Sequence, residues 1–250
     1  NYSKYFNPKK KILVIFRGIN VDYFNPKKKF LVIFRGINVD YFDPNKIKER
    51  EEKRIILQWN IQKDKKLILL PGRLTSWKGQ EMFIEALNLV NQELKQEVFN
   101  AVILGDAQGR DVYKKKLLRL VEQYRLNKQV KFVDHCKHMP LAYKISNLVV
   151  SSSIEPEAFG KVSVEAQSME KLIIASNIGG SNETIINDKT GLLFESGKPE
   201  SLSQKIIEAL KLNDTTLKIM GNEGRKNVIK KFNIEKMCFS TYSEYKKLIN

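Results

Sequence analysis

From Leu67 to Phe194, short apolar runs alternate with stretches of helical period, and this constrains the fold more than any other feature of the chain. The runs are Leu67–Leu70, Ala101–Leu104, Val130–Val133, Leu148–Ser151, Leu172–Ala175 and Gly191–Phe194. Each is too short for a helix and bounded by turn residues, so each reads as a strand. Between the first two, Phe83, Leu87, Val90 and Leu94 fall at helical spacing; between the second and third, Tyr113, Leu117, Leu120, Val121 and Tyr124 do the same. A short helix near Leu141–Ile145 is expected, and the chain beyond Pro199 reads as helix throughout. Short apolar strands alternating with helices imply a parallel sheet buried on both faces. The expectation is a doubly wound, Rossmann-like α/β domain of about 130 to 150 residues followed by C-terminal helices.

A tandem repeat precedes this domain. Tyr5–Asp22 returns as Tyr23–Asp40 with Phe30 for Ile12 as the one change, and a third copy starts at Tyr41-Phe42-Asp43-Pro44 before diverging. Each unit reads as a basic turn, a strand (Ile12–Phe16 or Phe30–Phe34) and an Arg-Gly-Ile-Asn-Val-Asp turn. Solenoids need longer units and at least three of them. Near-identity therefore points to a recent duplication, with one copy holding a place in the fold and the other inserted. Residues 1–54 are read as this duplicated segment and residues 55–250 as the α/β domain.

Charge follows the same division. The net charge is +16, yet residues 1–66 hold 17 basic and 7 acidic side chains, so most of the excess is N-terminal. Such a segment suits an acidic membrane surface or nucleic acid. Its three-lysine runs lack a pattern of stacking aromatics, so they read as solvated faces and no nucleic-acid partner is expected. No apolar run approaches the roughly 20 residues of a membrane span. Cys136 and Cys238 are too few for a disulfide scaffold and too far apart for a metal-ligand pair, a usage that fits a reducing compartment. The first residue is Asn1 rather than Met, so the natural start is expected to lie outside the sequence.

Ligands of open parallel sheets bind beyond the carboxyl ends of the strands, and four loops there carry unusual residues. After the first strand, Gly72-Arg73-Leu74-Thr75-Ser76-Trp77-Lys78-Gly79 brings two cations to a helix start, a favourable setting for a diphosphate. Solvent-facing roles for Arg73 and Lys78 are equally open. After Leu148–Ser151, Gly160 opens a helix whose free N–H groups can receive an anion, with Glu157 before it and Glu165 inside it. An ionised carboxylate only accepts hydrogen bonds, so sugar hydroxyls suit both glutamates. An exposed helix-start role explains Glu157 as well. It explains Glu165 poorly, since that residue sits among Val162, Val164 and Ala166. Gly179-Gly180-Ser181-Asn182-Glu183 offers further N–H groups, and Asp134-His135-Cys136 is placed to meet a nucleobase.

These motifs occur in a familiar order. Pro71-Gly72-Arg73-Leu74 with Trp77-Lys78-Gly79, Glu157-Ala158-Phe159-Gly160 with Glu165-Ala166, Gly179-Gly180-x-x-Glu183 and Thr190-Gly191-Leu192-Leu193 together resemble the group-one, family-four retaining glycosyltransferases of the GT-B fold. The hallmark of that family is a pair of glutamates with seven residues between them, as Glu157 and Glu165 stand here. The resemblance runs from about Val32 to the C-terminus. It implies a nucleotide-sugar donor, UDP- or GDP-linked, and transfer with retention to a glycan or lipid acceptor. No metal or other cofactor is implied. It also implies that Arg73 and Lys78 hold the diphosphate and stabilise the leaving nucleotide, that Glu157 binds the transferred sugar, and that Glu165 binds the ribose. Gly72, Phe159, Gly160 and Lys161 are implied at the sugar and phosphate, Phe159 and Gly160 largely through backbone, with His135 near the base. The family usually has glycine in the Asp134-His135 loop, which weakens the base assignment.

In that family an N-terminal Rossmann-like domain binds the acceptor. Here Arg35–Pro44 resembles the linker leading out of it, so the acceptor domain is expected to be missing from this chain and separately encoded. The expected setting is cytoplasmic, at the inner membrane face with peripheral contact to acidic lipid, in envelope glycan or lipopolysaccharide biosynthesis. The alternative is a non-catalytic nucleotide-sugar-binding remnant of a split or decaying gene.

Overall fold

A computed structural model describes residues 12–14, 30–95 and 98–249. The three-lysine runs at 9–11 and 27–29 lie outside them. Six strands form one sheet: β3 (Lys66–Pro71), β4 (Phe99–Leu104), β5 (Val130–Val133), β6 (Leu148–Ser151), β7 (Leu172–Ser176) and β8 (Leu192–Phe194). All pairings are parallel, in the order β5-β4-β3-β6-β7-β8. The chain steps outward from β3 to β5, returns to the other side of β3 as β6, and proceeds to β8. The sequence expectation of a doubly wound sheet is met, with every expected strand within two residues of its place.

Burial on both faces explains why the strands read as apolar runs. Ile68 and Leu70 point into one core layer with α2 (Gln80–Leu94), α3 (Asp111–Gln123) and α7 (Pro199–Lys211). Leu67 and Leu69 point into the other, with α4 (Met139–Ile145), α5 (Lys161–Ser168) and α8 (Asp214–Lys231). Each of these four residues is at most 3% exposed, and burying such a side chain contributes about 1.5–3 kcal/mol relative to leaving it in water. A half-buried sheet would have alternated polar and apolar residues; this one has no solvent face to require it.

Residues 33–47 are tied to this core. Ile37, Phe42 and Ile47 are buried in the second layer. The Ile37 N–H donates to Phe232 O at 2.8 Å, and Ile234 N–H donates back to Ile37 O at 3.0 Å. The Phe42 carbonyl accepts from Ser168 Oγ (2.8 Å) and from Arg225 (2.9 Å). The next element, α1 (Glu49–Gln58), runs without a break across residues 54 and 55 and was not foreseen. Its signals are faint: Glu51 accepting from the Lys48 N–H at 3.2 Å, and Ile55 as the buried residue of its inner face. Upstream, β1 (Ile12–Val14) and β2 (Phe30–Val32) are the strand cores of the two repeats, paired in parallel with Ile12 opposite Phe30.

The repeat therefore has a testable consequence. Deleting Tyr23–Asp40 joins Asp22 to Tyr41, leaving Ile19 in the sequence context that Ile37 has now and keeping Phe42 in place. The shortened protein is expected to unfold cooperatively, with its midpoint lowered by less than about 4 °C, the shift that about 1 kcal/mol produces in a domain of this size. A broad or non-cooperative melt would show that both copies are integral.

Candidate functional site

The strand order reverses between β3 and β6, so the loops leaving their carboxyl ends face each other across the crevice where such sheets bind ligands. The β3 loop makes a 3-10 turn at Ser76–Lys78 and enters α2 through Gly79, in a left-handed conformation (φ 69°). A Cβ on Gly79 would lie 2.0 Å from the Ser152 carbonyl, so only glycine permits this approach. The two loops are then joined directly. Ser152 Oγ donates to the carbonyls of Lys78 (2.9 Å) and Gly79 (3.2 Å), and Ile154 N–H donates to Trp77 O (2.8 Å).

This seam brings together two of the sequence-predicted residues, 79 positions apart. Lys78 Nζ lies 2.6 Å from Glu157 Oε1, both side chains only about one-seventh exposed (15% and 14%). The same ammonium stands 4.5 Å from the Trp77 ring centroid. Ser153 Oγ donates to the same carboxylate oxygen. Away from bulk water these charge-assisted contacts strengthen. Glu157 is thus an enclosed acceptor rather than an exposed helix-start carboxylate. Arg73, six residues past Leu67, behaves differently: its carbonyl is held by Gln80 Nε2 at 2.8 Å, while its exposed guanidinium has no hydrogen bond or ion pair among the described residues. Gly72 immediately precedes it, its N–H donating to Leu104 O at 2.9 Å.

The segment carrying Glu157 is backed by the loop after β7. Gly180 N–H donates to Glu157 O at 2.8 Å, and a Cβ on Gly180 would come within 2.5 Å of the Phe159 backbone. Phe159 is 8% exposed with its ring edge-to-face on Phe232 (centroids 6.0 Å), so its side chain is spent on the core. Gly160, at φ 70°, is the N-cap of α5, which presents its first amides toward the crevice end of the sheet.

Glu165, one turn into α5, is 5% exposed. Its Oε2 accepts from the Tyr143 hydroxyl at 2.8 Å and its Oε1 faces Lys161 Nζ at 3.2 Å. Burial pushes the Glu165 carboxyl above the usual carboxylate range, opposed by Lys161 and by the Tyr143 hydrogen bond. His135 lies after β5, the strand beyond β4, and is exposed. The structure thus unites Lys78 with Glu157 across the two loops, and Lys161 with Glu165 within α5. Arg73 shares the first loop with Lys78, and His135 stands two strands off.

Three contributors escaped the sequence reading. Ser153 and Ser152 sit in the Ser151-Ser152-Ser153 run, whose hydroxyls after a strand were a usable signal. Tyr143 looked like any aromatic on a short core helix. A cleft of about 640 Å³ also opens beside the first loop, lined by Thr75, Ser76, Trp77, Arg110, Tyr113 and Lys116 among others, and by none of the predicted residues. Among the described residues no group of three or more His, Cys, Asp or Glu is placed to hold a metal ion, and no helix is long and apolar enough to cross a membrane. Chemically, the crevice offers cations and helix amides to an anion, and two enclosed carboxylates to hydroxyl groups.

Comparison with known proteins bears on family and fold. Residues 51–227 match the family described as Glycosyl transferases group 1. An uncharacterized glycosyltransferase of Methanocaldococcus jannaschii is 31% identical over 190 residues, 74% of this chain and 45% of that protein. The chain spans about half the length of the curated relatives it matches. Among solved structures, a glycosyltransferase from Rickettsia africae superposes with a TM-score of 0.87 at 31% identity, over 100% of this chain and 67% of that one. The Anabaena HepE structure in complex with UDP gives a TM-score of 0.79 at 22% identity, over 87% and 57%, a likeness of fold.

Proposed function

This chain belongs to the group 1 glycosyltransferases, and we propose that its α/β domain binds a nucleotide-sugar donor as the donor half of a retaining transferase. The observation that carries the reading is the Lys78–Glu157 contact at 2.6 Å across the β3/β6 crevice. It sets a cation suited to phosphate beside a carboxylate suited to a sugar hydroxyl, at the place where the fold collects ligands. The UDP held by the Anabaena neighbour supports a uridine donor.

Each residue then has a task. Arg73 and Lys78 hold the diphosphate, Lys78 exchanging Glu157 for a phosphate oxygen, and the α5 amides at Gly160 and Lys161 add positive potential. Breaking the bond from anomeric carbon to phosphate oxygen leaves negative charge on the nucleotide, which these fixed groups stabilise. Glu157, released from Lys78 and oriented by Ser153, accepts from a hydroxyl of the transferred sugar. Glu165 accepts from the ribose, His135 lies toward the base, and Gly72 and Phe159 contribute backbone only. Retention follows from attack on the face the nucleotide leaves, with the departing phosphate taking the acceptor's proton. The acceptor is a glycan or lipid of the cell envelope, presented by an acceptor domain at the inner face of the membrane, with the basic N-terminal segment near acidic lipid.

Titration calorimetry with UDP- and GDP-sugars tests the donor assignment. Saturable heat with one of them is expected, because the proposed contacts lie within one domain. Silence with both up to millimolar concentration would overturn it.

A further inference from the structure

We propose that Tyr143 is a positioning residue for the donor: by fixing one oxygen of Glu165 it turns the other toward the ribose, so the site selects ribonucleotides through a phenol that need not touch them. The inference rests on the donor reading above.

Tyr143 is 0% exposed, the largest fully buried side chain in the domain. Its ring is packed against Phe42 at a centroid distance of 6.2 Å, and its carbonyl is tied down by Ser146 Oγ at 2.8 Å. A ring so confined delivers its hydroxyl to one point. A buried hydroxyl needs a partner, and here it donates to Glu165 Oε2 at 2.8 Å from a helix 22 positions upstream. Burial pushes the phenol well above its ordinary pKa, so the proton stays on Tyr143 and the contact keeps one direction.

The two oxygens of Glu165 therefore have unlike surroundings. Oε2 is engaged with the immobile phenol. Oε1 meets Lys161 Nζ at 3.2 Å, and that lysine side chain is 66% exposed. The inner contact is fixed; the outer one belongs to a flexible side chain that a ligand hydroxyl can displace. The terminal torsion of glutamate is broad and roughly two-fold, so without Tyr143 the carboxylate would sample orientations in which neither oxygen is aimed outward. A carboxylate held this way accepts from a ribose hydroxyl and gains nothing from a carbon that lacks one.

The test pairs two ligands with two variants. Calorimetry is run on the full chain with UDP and with 2′,3′-dideoxy-UDP, and likewise with GDP and its dideoxy analogue. The wild-type protein should prefer the ribonucleotide by about tenfold or more, the usual size of a hydrogen bond to a charged group. Tyr143→Phe, which keeps the ring, should lose most of that preference by weakening ribonucleotide binding while dideoxynucleotide binding stays within about twofold. The unchanged dideoxynucleotide affinity also shows that the variant is folded. In a Glu165→Gln background, adding Tyr143→Phe should change ribonucleotide affinity little, since the group it positions no longer carries charge. Equal weakening of both ligands by Tyr143→Phe would reduce Tyr143 to a structural role and overturn the inference. So would an undiminished ribonucleotide preference. Should no nucleoside diphosphate bind the wild-type protein, the donor reading falls and this inference with it, an outcome distinct from the other two.

Discussion

Supplied with a radiolabelled nucleotide sugar and membrane extract, the 250-residue chain is expected to transfer no sugar and at most to hydrolyse the donor slowly. The argument is one of position. Retaining transfer needs the acceptor hydroxyl held beside the anomeric carbon, and such positioning accounts for roughly 7–11 kcal/mol of a barrier, on the order of 10⁵- to 10⁸-fold in rate. On the proposed reading the crevice supplies the other half: the Lys78–Glu157 seam, the α5 amides and the Tyr143–Glu165 pair. All of these lie in one α/β domain, and transfer also needs a second wall to hold an acceptor and exclude water. The relatives this chain matches are about twice as long as the matched region. Adding a separate acceptor domain should restore turnover. Robust transfer by the purified chain would sink the idea and assign the acceptor to the basic repeat or to a second copy of the protein. Donor binding without turnover under either condition would favour a non-catalytic remnant.

The second large effect should separate the two cations of the first loop. Lys78→Ala and Arg73→Ala are each expected to weaken UDP by about 10- to 150-fold and uridine much less, the loss of one charge-assisted phosphate contact being about 1.5–3 kcal/mol. Their stabilities should diverge. Removing Lys78 leaves Glu157, 14% exposed, without its cation. Breaking a fully buried pair costs about 3–5 kcal/mol, so a loss of about 2–3 is expected here, where some water reaches the site. Arg73 is exposed and unpaired among the described residues, so its removal should change stability by less than about 0.5 kcal/mol. Thermal melts and calorimetry on the same samples read both. Equal losses for uridine and UDP would misplace the clamp. A Lys78→Ala protein as stable as wild type would mean that the pair with Glu157 contributes little.

The strands were legible because the central ones are buried on both faces and so leave continuous apolar runs, Leu67–Leu70 being the plainest, whereas the edge strand Val130–Val133 is only partly buried beyond Val130. The loops were legible too, since close backbone approach requires glycine at Gly79 and Gly180, and the cations and carboxylates stand out beside them. Helix α1 was missed because its first six residues are all charged and its apolar residues are confined to Ile55-Ile56-Leu57, of which only Ile55 is buried, so no apolar position recurs turn after turn. Ser153 and Tyr143 were missed for a different reason: a serine after a strand and a tyrosine on a core helix have ordinary local explanations, and nothing nearby in the sequence names their partners.

Sequence by itself determined the layering, the parallel sheet and the loops at which chemistry could occur, because burial and turn geometry are imposed residue by residue over short distances. Only the tertiary structure decided which groups meet. Lys78 and Glu157 pair across 79 positions because the chain returns β6 to the side of β3. Ile37 is secured by Phe232 and Ile234 at the far end of the chain, and Tyr143 finds Glu165 because α4 and α5 share one face of the sheet. Periodicity records how much of a residue is buried, and it carries no record of what lies across the space that buries it.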